Sequence, residues 1–488
     1  MALGLIGILL AIRIFALLIS PYGLHGDEAQ YWAWAQTLDF GYYSKPPMIA
    51  WIIASTTAIF GDAEWAARLG SPLIHSGTAW LLFLIGRNLH SERAGFWAAA
   101  CYLLMPAVWL SSAIISTDVA LLFFWTLALY SWVRLRQSAD VKWVLLLGAA
   151  IGCGFLSKYA MAFFLPALIL AILFEPQTRR ALLGRKGILV FALAGLIITP
   201  NLLWNAQYDF VTLSHTAENT NLQDTFFHPQ ELINFWISQF GVFGPVTFAL
   251  LIGVLVTAIK SGKNQMEFWL ALLCAVPLLI ISFQALLSRA NANWAVSAYS
   301  AAPLLLALWA VNSRKGFPIF KWGIIAQGLT SFALGLILLS PSLTDQLGFA
   351  NAVKRMRGWP ATVDAIKARF AQGHDGQAFE TIAMDNRLIF YDSLYYGLEE
   401  TAPLKFWQLT AYPKHHAHLT RPLLKGEGEP VLLINYHKNF DAYFKEDFAR
   451  LEPLAPISID LGGGKVRELS VWAGYGYTPT DNPARDTK

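Results

Sequence analysis

The chain has 488 residues, of which 56% are hydrophobic and only 14% are charged, and its net charge is +4. Soluble domains carry about 25% charged residues, so this composition excludes an ordinary soluble protein, and the small net charge gives no indication of nucleic-acid binding. The three cysteines, Cys101, Cys153 and Cys274, lie in apolar stretches without metal-ligand spacing, which argues against a disulfide framework. Most of the surface is therefore predicted to face membrane lipid.

Apolar segments recur along the first 340 residues. A bilayer core needs about 20 mostly apolar residues per helix. The N-terminus lacks a basic segment and a small-residue cleavage site, which favours a first membrane helix over a signal peptide. The segment 47–60 is apolar but short, which favours an interfacial or re-entrant helix. About eleven spans are predicted, over 2–19, 66–86, 95–111, 119–133, 143–157, 159–174, 188–203, 238–259, 267–287, 295–311 and 322–340.

The character of the chain changes near residue 341. Of the 36 Lys and Arg residues, 17 lie beyond residue 340, as do 18 of the 32 Asp and Glu residues. Within this part, VLLIN (431–435) and ELSVWAGY (468–475) have the pattern of strands, and ATVDAIKARF (361–370) has helical spacing. We therefore predict a transmembrane domain over 1–340, with a first outer loop over 20–65, and a small soluble α/β domain over 341–488.

The basic residues predict the orientation. With residue 1 in the cytoplasm, five successive inner loops carry 14 Lys and Arg residues, whereas the outer side of the same region holds only Lys45, Arg68, Lys158 and Arg289. By the positive-inside rule, the odd-numbered loops and the C-terminal domain lie outside the cytoplasmic membrane. Lys45, Lys158 and Arg289 lie near loop–helix junctions. They are either interface anchors or, as a set, a site for an anionic ligand such as a phosphate at the membrane surface.

The first outer loop contains HGDEAQYWAWAQTLDFGYYSKPPMIAW, residues 25–51. Asp27 and Glu28 begin a helical run, where helix capping is the alternative to a catalytic role. Lys45 precedes Pro46-Pro47, a rigid pair that presets the backbone without donating hydrogen bonds. A helix that begins with two acids and is followed by a basic turn can hold a carboxylate opposite a cation.

The run DEAQYWAWAQTL…GYYSKPPMIAW resembles the first-loop signature of bacterial members of the protein O-mannosyltransferase superfamily, the glycosyltransferase family 39-like and aminoarabinose-transferase-like enzymes. SSAIISTDVALLFF (111–124) and GFLSKYAMAFFLPA (154–167) are similar to the family's second loop and its lysine-bearing segment. The resemblance extends over about 20–210. It implies an α-helical polytopic membrane protein of the GT-C fold, with about 11–13 transmembrane helices and a small C-terminal α/β extracytoplasmic domain.

The resemblance also implies a glycosyltransferase. The enzyme would move a sugar, with inversion, from a polyprenyl-phosphate donor to an envelope acceptor, which is lipopolysaccharide or lipid A, another glycan, or a protein. The reaction would take place on the outer, periplasmic face of the bacterial inner membrane. The resemblance implies Asp27 as base or acceptor-orienting carboxylate, Lys45 on the donor phosphate, Asp118 as a residue that positions acceptor or donor, and Lys158 as the family's lysine. We add Glu28 as a further catalytic acid beside Asp27 and Asp118, Lys158 and Arg289 as further cations on the donor phosphate, and Tyr31, Tyr42 and Tyr43 as residues that position the acceptor.

Ser44 departs from the aminoarabinose-transferase form, which has an acidic residue implicated in metal binding before the lysine. No metal ligands are therefore assigned, and a divalent metal cofactor is doubtful. Two other functions remain open at this point, a transporter or flippase of lipid-linked sugar and a non-catalytic envelope assembly protein. Transporters tend to have repeated halves, and no such repeat is visible in the sequence.

Two weaker signals leave alternatives open. The tract 414–418 (KHHAH) is either a metal-binding cluster or a solvated polar loop. Arg13 lies inside the first predicted span, where a charge is costly. It is expected to face the bundle interior, to contact the donor phosphate or to pack against a helix end.

Overall fold

The computed structural model describes all residues of the chain except 139, 219–226, 261, 263–264, 411, 437–439, 481–484 and 486–488. The chain divides into two compact units. The helical unit comprises Met1–Ser20, Asp39–Gly41 and Lys45–Leu339, and the α/β unit comprises Pro21–Leu38, Tyr42–Ser44 and Ser340–Lys488. Two pieces of the first predicted loop thus belong to the same unit as the C-terminal residues.

The α-helices of the first half of the chain are α1 Ala2–Leu18, α2 Gly26–Gln36, α3 Met48–Phe60, α4 Glu64–Arg68, α5 Gly70–Leu89, α6 Glu92–Leu103, α7 Pro106–Ser111, α8 Thr117–Ser138, α9 Val141–Ser157, α10 Leu165–Phe174, α11 Pro176–Leu182, α12 Arg185–Gln207 and α13 Val211–Glu218. The second half contains α14 Pro229–Phe243, α15 Pro245–Lys260, α16 Met266–Leu287, α17 Ala302–Asn312, α18 Gly316–Leu339, α19 Pro341–Gln346, α20 Ala350–Val353, α21 Trp359–Gln372, α22 Arg387–Tyr395, α23 His416–Thr420 and α24 Asp441–Asp447. The 3₁₀ helices are Tyr159–Phe164, Ala292–Ser300, Lys354–Met356 and Leu398–Glu400.

Helices in the helical unit are long and apolar enough to span a membrane. Among the described residues, five reach that length and composition, or up to eight if each of three bent helix pairs counts as one span. The five are Glu64–Leu89, Thr117–Ser138, Arg185–Gln207, Met266–Leu287 and Gly316–Leu339. The other predicted spans fall on the bent pairs or on shorter helices such as Ala2–Leu18 and Val141–Ser157. The count by this criterion is therefore lower than the predicted eleven.

The predicted span over 238–259 is interrupted in the structure. The chain bends by 113° between α14 and α15. Gly244 adopts φ +109, which side-chain-bearing residues rarely adopt, and Pro245 begins the next helix. Residues 238–243 consequently belong to one helix and 245–259 to another.

Aromatic residues and close helix contacts form the core of the helical unit. Trp125 and Trp132 are buried against Phe164, and the buried Trp269 packs on Trp132. Helices α9 and α12 approach closely at Gly152, where an added Cβ would lie 2.8 Å from Ile197. Small residues allow such backbone approach in membrane helices. The core therefore combines bulky aromatic packing with close helix contacts.

Arg13 packs against the end of a helix, one of the three alternatives left open by the sequence. Its Nη2 donates to the backbone oxygen of Leu103, at 2.5 Å, and its guanidinium lies 5.4 Å from the ring centroid of Trp109. Leu103 is the last residue of α6, whose C-terminal carbonyl groups favour a cation. This contact accounts for one nitrogen of the buried guanidinium, while Nε and Nη1 have no hydrogen-bond partner among the described residues.

The α/β unit contains one five-stranded sheet in the order β2-β1-β3-β5-β4. Strand β1 pairs in parallel with β2 and β3, while β5 pairs antiparallel with β3 and β4. The strands are β1 Thr381–Met384, β2 Leu404–Phe406, β3 Val431–Asn435, β4 Phe448–Gly462 and β5 Lys465–Tyr477. The predicted strands 431–435 and 468–475 fall on β3 and β5, and the predicted helix 361–370 falls on α21. Helix α2 packs on α22 within this unit.

Candidate active site

Helix α2 begins with a capping box that distinguishes the two adjacent acids. His25 is the N-cap, and its Nδ1 accepts from the backbone N–H of Asp27 at 3.3 Å. Glu28 is only 2% exposed, and its carboxylate accepts from the backbone N–H of His25 at 2.9 Å. The Asp27 side chain is 43% exposed. The structure therefore gives Glu28 a capping role, and its predicted catalytic role stays untested.

Asp27 forms an ion pair with Arg387. Nη1 of Arg387 lies 2.8 Å from Oδ1 of Asp27 and 2.7 Å from Oε1 of Gln30. Gln30 lies one helical turn after Asp27 and is 3% exposed. The sequence predicted a cation opposite this carboxylate but did not identify Arg387.

Arg387 is the first residue of α22, which follows β1 in the sequence. The side chain of Asn386 caps this helix by accepting from the backbone N–H of Leu388 at 2.9 Å. Because β1 pairs in parallel with strands on both sides, the residues that follow it lie at the edge where open α/β sheets commonly bind ligands. In this unit, that edge presents a guanidinium group to α2.

The tyrosines predicted to position the acceptor are all buried in the structure. The Tyr42 ring stacks on Trp34 with centroids 4.6 Å apart, and its hydroxyl donates to the backbone oxygen of Trp34 at 3.0 Å. The Tyr43 hydroxyl donates to the backbone oxygen of Pro413 at 2.9 Å, and Tyr31 packs on Trp34 at 5.3 Å. These contacts build the α/β unit, and a direct contact with an acceptor stays a prediction.

The helical unit contains a second polar cluster, centred on Asp118 in the first turn of α8. Oδ1 of Asp118 accepts from Nζ of Lys158 at 2.6 Å, and Oδ2 accepts from Nδ2 of Asn293 at 2.8 Å. Lys158 lies where α9 ends and the 3₁₀ helix 159–164 begins, and Asn293 lies in the 3₁₀ helix 292–300. Two interrupted helices thus bring their polar side chains to one carboxylate.

Further contacts fix the segment next to Lys158. The Tyr159 hydroxyl donates to Oδ1 of Asn201 at 2.9 Å, and Nδ2 of Asn201 donates to the backbone oxygen of Phe40 at 2.7 Å. Gly41 lies against Trp204, where an added Cβ would approach the indole ring to 2.4 Å. Phe40 and Gly41 therefore contact α12 within the helical unit. Sequence reasoning missed Asn201, although a polar residue in an apolar helix is a signal for such a role.

The remaining predicted cations differ in exposure. Lys45 is half-buried, immediately before Pro46 and Pro47, and Pro47 is the N-cap of α3. Arg289 is exposed in the segment between α16 and the 3₁₀ helix 292–300. Both lie in the helical unit with Lys158. Their predicted contact with a donor phosphate stays a prediction.

The histidines of the 414–418 tract have structural partners. Nδ1 of His416 accepts from the backbone N–H of Tyr43 at 3.4 Å, and Nδ1 of His418 accepts from that of Lys414 at 3.3 Å. Burial lowers the pKa of both His416 and His418 to about 4, since the charged form loses its hydration. These histidines are therefore packed as neutral side chains, which favours a structural role over a solvated loop.

One group in the described part of the α/β unit has the side chains of a metal site, His374, Asp375 and Glu452. Nη2 of Arg450 lies 2.5 Å from Asp375, and its Nε lies 3.0 Å from Glu452. The guanidinium already supplies the positive charge that a metal would bring to these carboxylates. We therefore describe this group as an ion-pair cluster.

Comparison with known proteins identifies the family. A family model described as dolichyl-phosphate-mannose-protein mannosyltransferase matches residues 44–204. The chain is 34% identical over 379 residues to the lipid A galacturonosyltransferase RgtD of Rhizobium johnstonii, and the alignment covers 77% of this chain and 78% of that protein. The chain belongs to the GT-C glycosyltransferases of the protein O-mannosyltransferase superfamily.

Other relatives and a solved structure agree with this assignment. The glycosyltransferase is 31% identical over 184 residues to the undecaprenyl phosphate-alpha-4-amino-4-deoxy-L-arabinose arabinosyl transferase 2 of Pseudomonas fluorescens, over 33% of each protein. Its fold is similar to that of ArnT from Cupriavidus metallidurans in a crystal structure with undecaprenyl phosphate bound. The TM-score is 0.66 at 15% identity, with 98% of this chain and 100% of that chain covered.

These findings confirm the predicted GT-C fold, its small C-terminal sheet domain and the multi-pass membrane character. They also confirm the prediction of an enzyme, because the named relatives are glycosyltransferases. The family assignment disfavours the transporter and the non-catalytic assembly protein that the sequence left open. The roles of the individual residues stay predictions.

Proposed function

We propose that this glycosyltransferase moves a sugar from a polyprenyl-phosphate donor to lipid A or another part of lipopolysaccharide, on the outer face of the bacterial inner membrane. The observation that carries the proposal is the alignment with a lipid A galacturonosyltransferase over 78% of that protein. The relatives named for undecaprenyl phosphate-linked sugar support the donor class. The basic residues of the inner loops support the orientation.

In the proposed reaction, an acceptor oxygen attacks the anomeric carbon of the donor sugar. The bond between that carbon and the phosphate oxygen breaks, the configuration inverts, and polyprenyl phosphate leaves with the bonding electrons. The acceptor hydroxyl must lose its proton, and the exposed carboxylate of Asp27 is the proposed base. The carboxylate stands in the first turn of α2.

The leaving phosphate gains negative charge, so fixed cations near it would stabilise the transition state. We propose Lys158 for this role, supported by Lys45 and Arg289. Lys158 is paired with Asp118, and Asn293 holds the other carboxylate oxygen. Asp118 would thus position the ammonium group of Lys158, and this ammonium group would contact both Asp118 and the donor phosphate.

For the sugar we propose a hexuronic acid such as galacturonate. The relatives named for aminoarabinose are matched over 33% to 40% of their length, whereas the galacturonosyltransferase is matched over 78%. A uronate carries a negative charge and an aminosugar a positive one. Ser44 supplies no negative charge beside Lys45, which suits an anionic sugar better than a cationic one.

The test uses the full-length protein purified in detergent, a synthetic polyprenyl-phosphate galacturonate donor and lipid A. Wild-type protein should form galacturonosyl lipid A, detected by mass spectrometry, while Asp27→Asn should lower the rate about 10² to 10⁴-fold. Asp364→Asn, a change at an exposed acid of α21, is the matched control and should retain activity. A polyprenyl-phosphate aminoarabinose donor tested in parallel would overturn the sugar assignment if it were preferred. Full activity of Asp27→Asn would overturn the assignment of the base.

A further inference from the structure

We propose that Arg387 is a positioning residue for catalysis, which acts by fixing the carboxylate of Asp27. The inference rests on the proposed function, because it takes Asp27 as the base. Through Arg387, the α/β unit would contribute to the reaction by orienting the base. Asp27 and Arg387 are 360 positions apart in the sequence, yet both belong to this unit.

The geometry at Arg387 differs from that of a simple surface ion pair. A single nitrogen, Nη1, donates to both Asp27 and Gln30 on successive turns of α2. The amide of Gln30 is buried, and a buried amide oxygen needs a hydrogen-bond donor. Because Gln30 holds the guanidinium from one side, the Asp27 carboxylate meets a donor whose position is already set. The other carboxylate oxygen of Asp27, Oδ2, lies 3.8 Å from Nδ1 of His25.

The backbone around Arg387 is also fixed. Asn386 caps α22 directly before it, and Leu388 directly after it packs on Gly26, where an added Cβ would approach Cδ2 of Leu388 to 2.4 Å. Farther along the two helices, the Trp32 ring meets the Tyr395 ring edge-on at 4.9 Å. These contacts hold α2 in one register on α22. The guanidinium therefore reaches Asp27 from a rigid element, as a well-oriented catalytic group requires.

Exposed ion pairs usually contribute little to stability, and the Arg387 side chain is 34% exposed. Loss of the ion pair with Asp27 is therefore expected to change the fold little, although the buried amide oxygen of Gln30 also loses a donor when Arg387 is replaced. Arg421 offers a matched control, because it is 38% exposed, belongs to the same unit and pairs with Glu399. If Arg387 were only another surface pair, the two arginines would respond alike.

The experiment compares Arg387→Gln, Arg387→Lys and Arg421→Gln in the full-length protein in detergent, with kcat and KM measured separately for donor and acceptor. We expect Arg387→Gln to lower kcat on the order of 10²-fold with a small change in either KM, because the base is displaced and binding is not. Arg387→Lys should recover part of kcat, since its ammonium group can reach one partner but not reproduce the planar donor. Arg421→Gln should stay within about twofold of wild type.

A second measurement keeps the inference testable if the glutamine variant is poorly folded. Guanidinium ion at millimolar concentration should raise kcat of Arg387→Ala, because it can enter the space left by the side chain and restore the contact. The same addition should leave Arg421→Ala unchanged. Wild-type kcat in Arg387→Gln, or a loss in Arg387→Ala that guanidinium does not relieve, would overturn the positioning role.

The outcomes separate this inference from the proposed function. If wild-type protein transfers sugar and Asp27→Asn does not, while Arg387→Gln retains full kcat, only the role of Arg387 fails. If Asp27→Asn is as active as wild type, the proposed base fails first, whatever the arginine variants do.

Discussion

The ammonium group of Lys158 lies 2.6 Å from the carboxylate of Asp118, so a cation proposed for the donor phosphate is already matched with an anion. Such a pair can hold the ammonium in place for a phosphate, with Asn293 keeping the carboxylate fixed from the other side. Replacing Lys158 and Asp118 one at a time therefore measures what each contributes to phosphate binding.

Lys158→Met should weaken the binding of undecaprenyl phosphate by about 10 to 100-fold, since a charge-assisted hydrogen bond is worth about 1.5–3 kcal/mol and Asp118 would be left unneutralised. Asp118→Asn should weaken it less, because the cation remains. Lys142→Met, which removes another lysine paired with an aspartate, Asp140 at 3.5 Å, is the control. Titration of the detergent-purified protein with undecaprenyl phosphate measures all three. Equal affinity of Lys158→Met and wild type would contradict the role of Lys158.

Glu28→Gln should retain most of the transferase activity, because glutamine can serve in a capping box as glutamate does. Glu28→Ala should lose about 1 kcal/mol of stability, measured as a lower midpoint of thermal unfolding in detergent. Comparison of the two variants distinguishes a capping role of Glu28 from a catalytic role. A large loss of kcat in a well-folded Glu28→Gln protein would restore the predicted catalytic role.

Ser44→Glu should lower transfer about five- to tenfold by placing a negative charge next to Lys45, an effect of about 1 kcal/mol at a partly exposed site. Ser44→Gln has a similar size without the charge and should have a smaller effect. The rates are compared at low and at high ionic strength, because added salt screens exposed charges. If the two variants lose the same activity, the cause is steric and the proposed phosphate contact of Lys45 gains no support.

The α/β unit should lose stability as the pH falls from about 6.5 to about 4. Histidine in an unfolded chain has a pKa of about 6.5, whereas burial lowers the pKa of His416 to about 4. The unfolded state therefore binds more protons in this window, and folding is favoured at the upper end, by at most about 3 kcal/mol for this residue. His416→Asn, whose amide oxygen can accept in place of Nδ1, should show a shallower pH dependence of thermal unfolding. An unchanged slope would contradict the assignment.

The sequence predicted those parts of the fold that depend on local pattern. Apolar runs located β3 and β5, and helical spacing located α21. The break within the span over 238–259 was not predicted because total hydropathy does not detect a bend, although Gly244-Pro245 is a local signal for one.

The candidate site was predicted in part. Asp27, Asp118 and Lys158 stand in motifs that can be read along the chain, and the structure brings the last two together. Arg387 has no such signal, because its partner lies 360 positions away and only the tertiary fold brings them into contact. The role of Glu28 was also ambiguous, since a capping acid and a catalytic acid occupy the same position in a sequence.

Membership of 21–38 and 42–44 in the α/β unit has a practical consequence for protein engineering. In a chimera that exchanges only residues 340–488 with those of a relative, α2 of this protein would have to pack on the relative's counterpart of α22. It would also remove the ion pair of Asp27 whenever the relative that supplies the domain has no arginine at the position of Arg387. Grafts intended to change acceptor or sugar preference should therefore carry the two short N-terminal segments together with the C-terminal one, as a single discontinuous module.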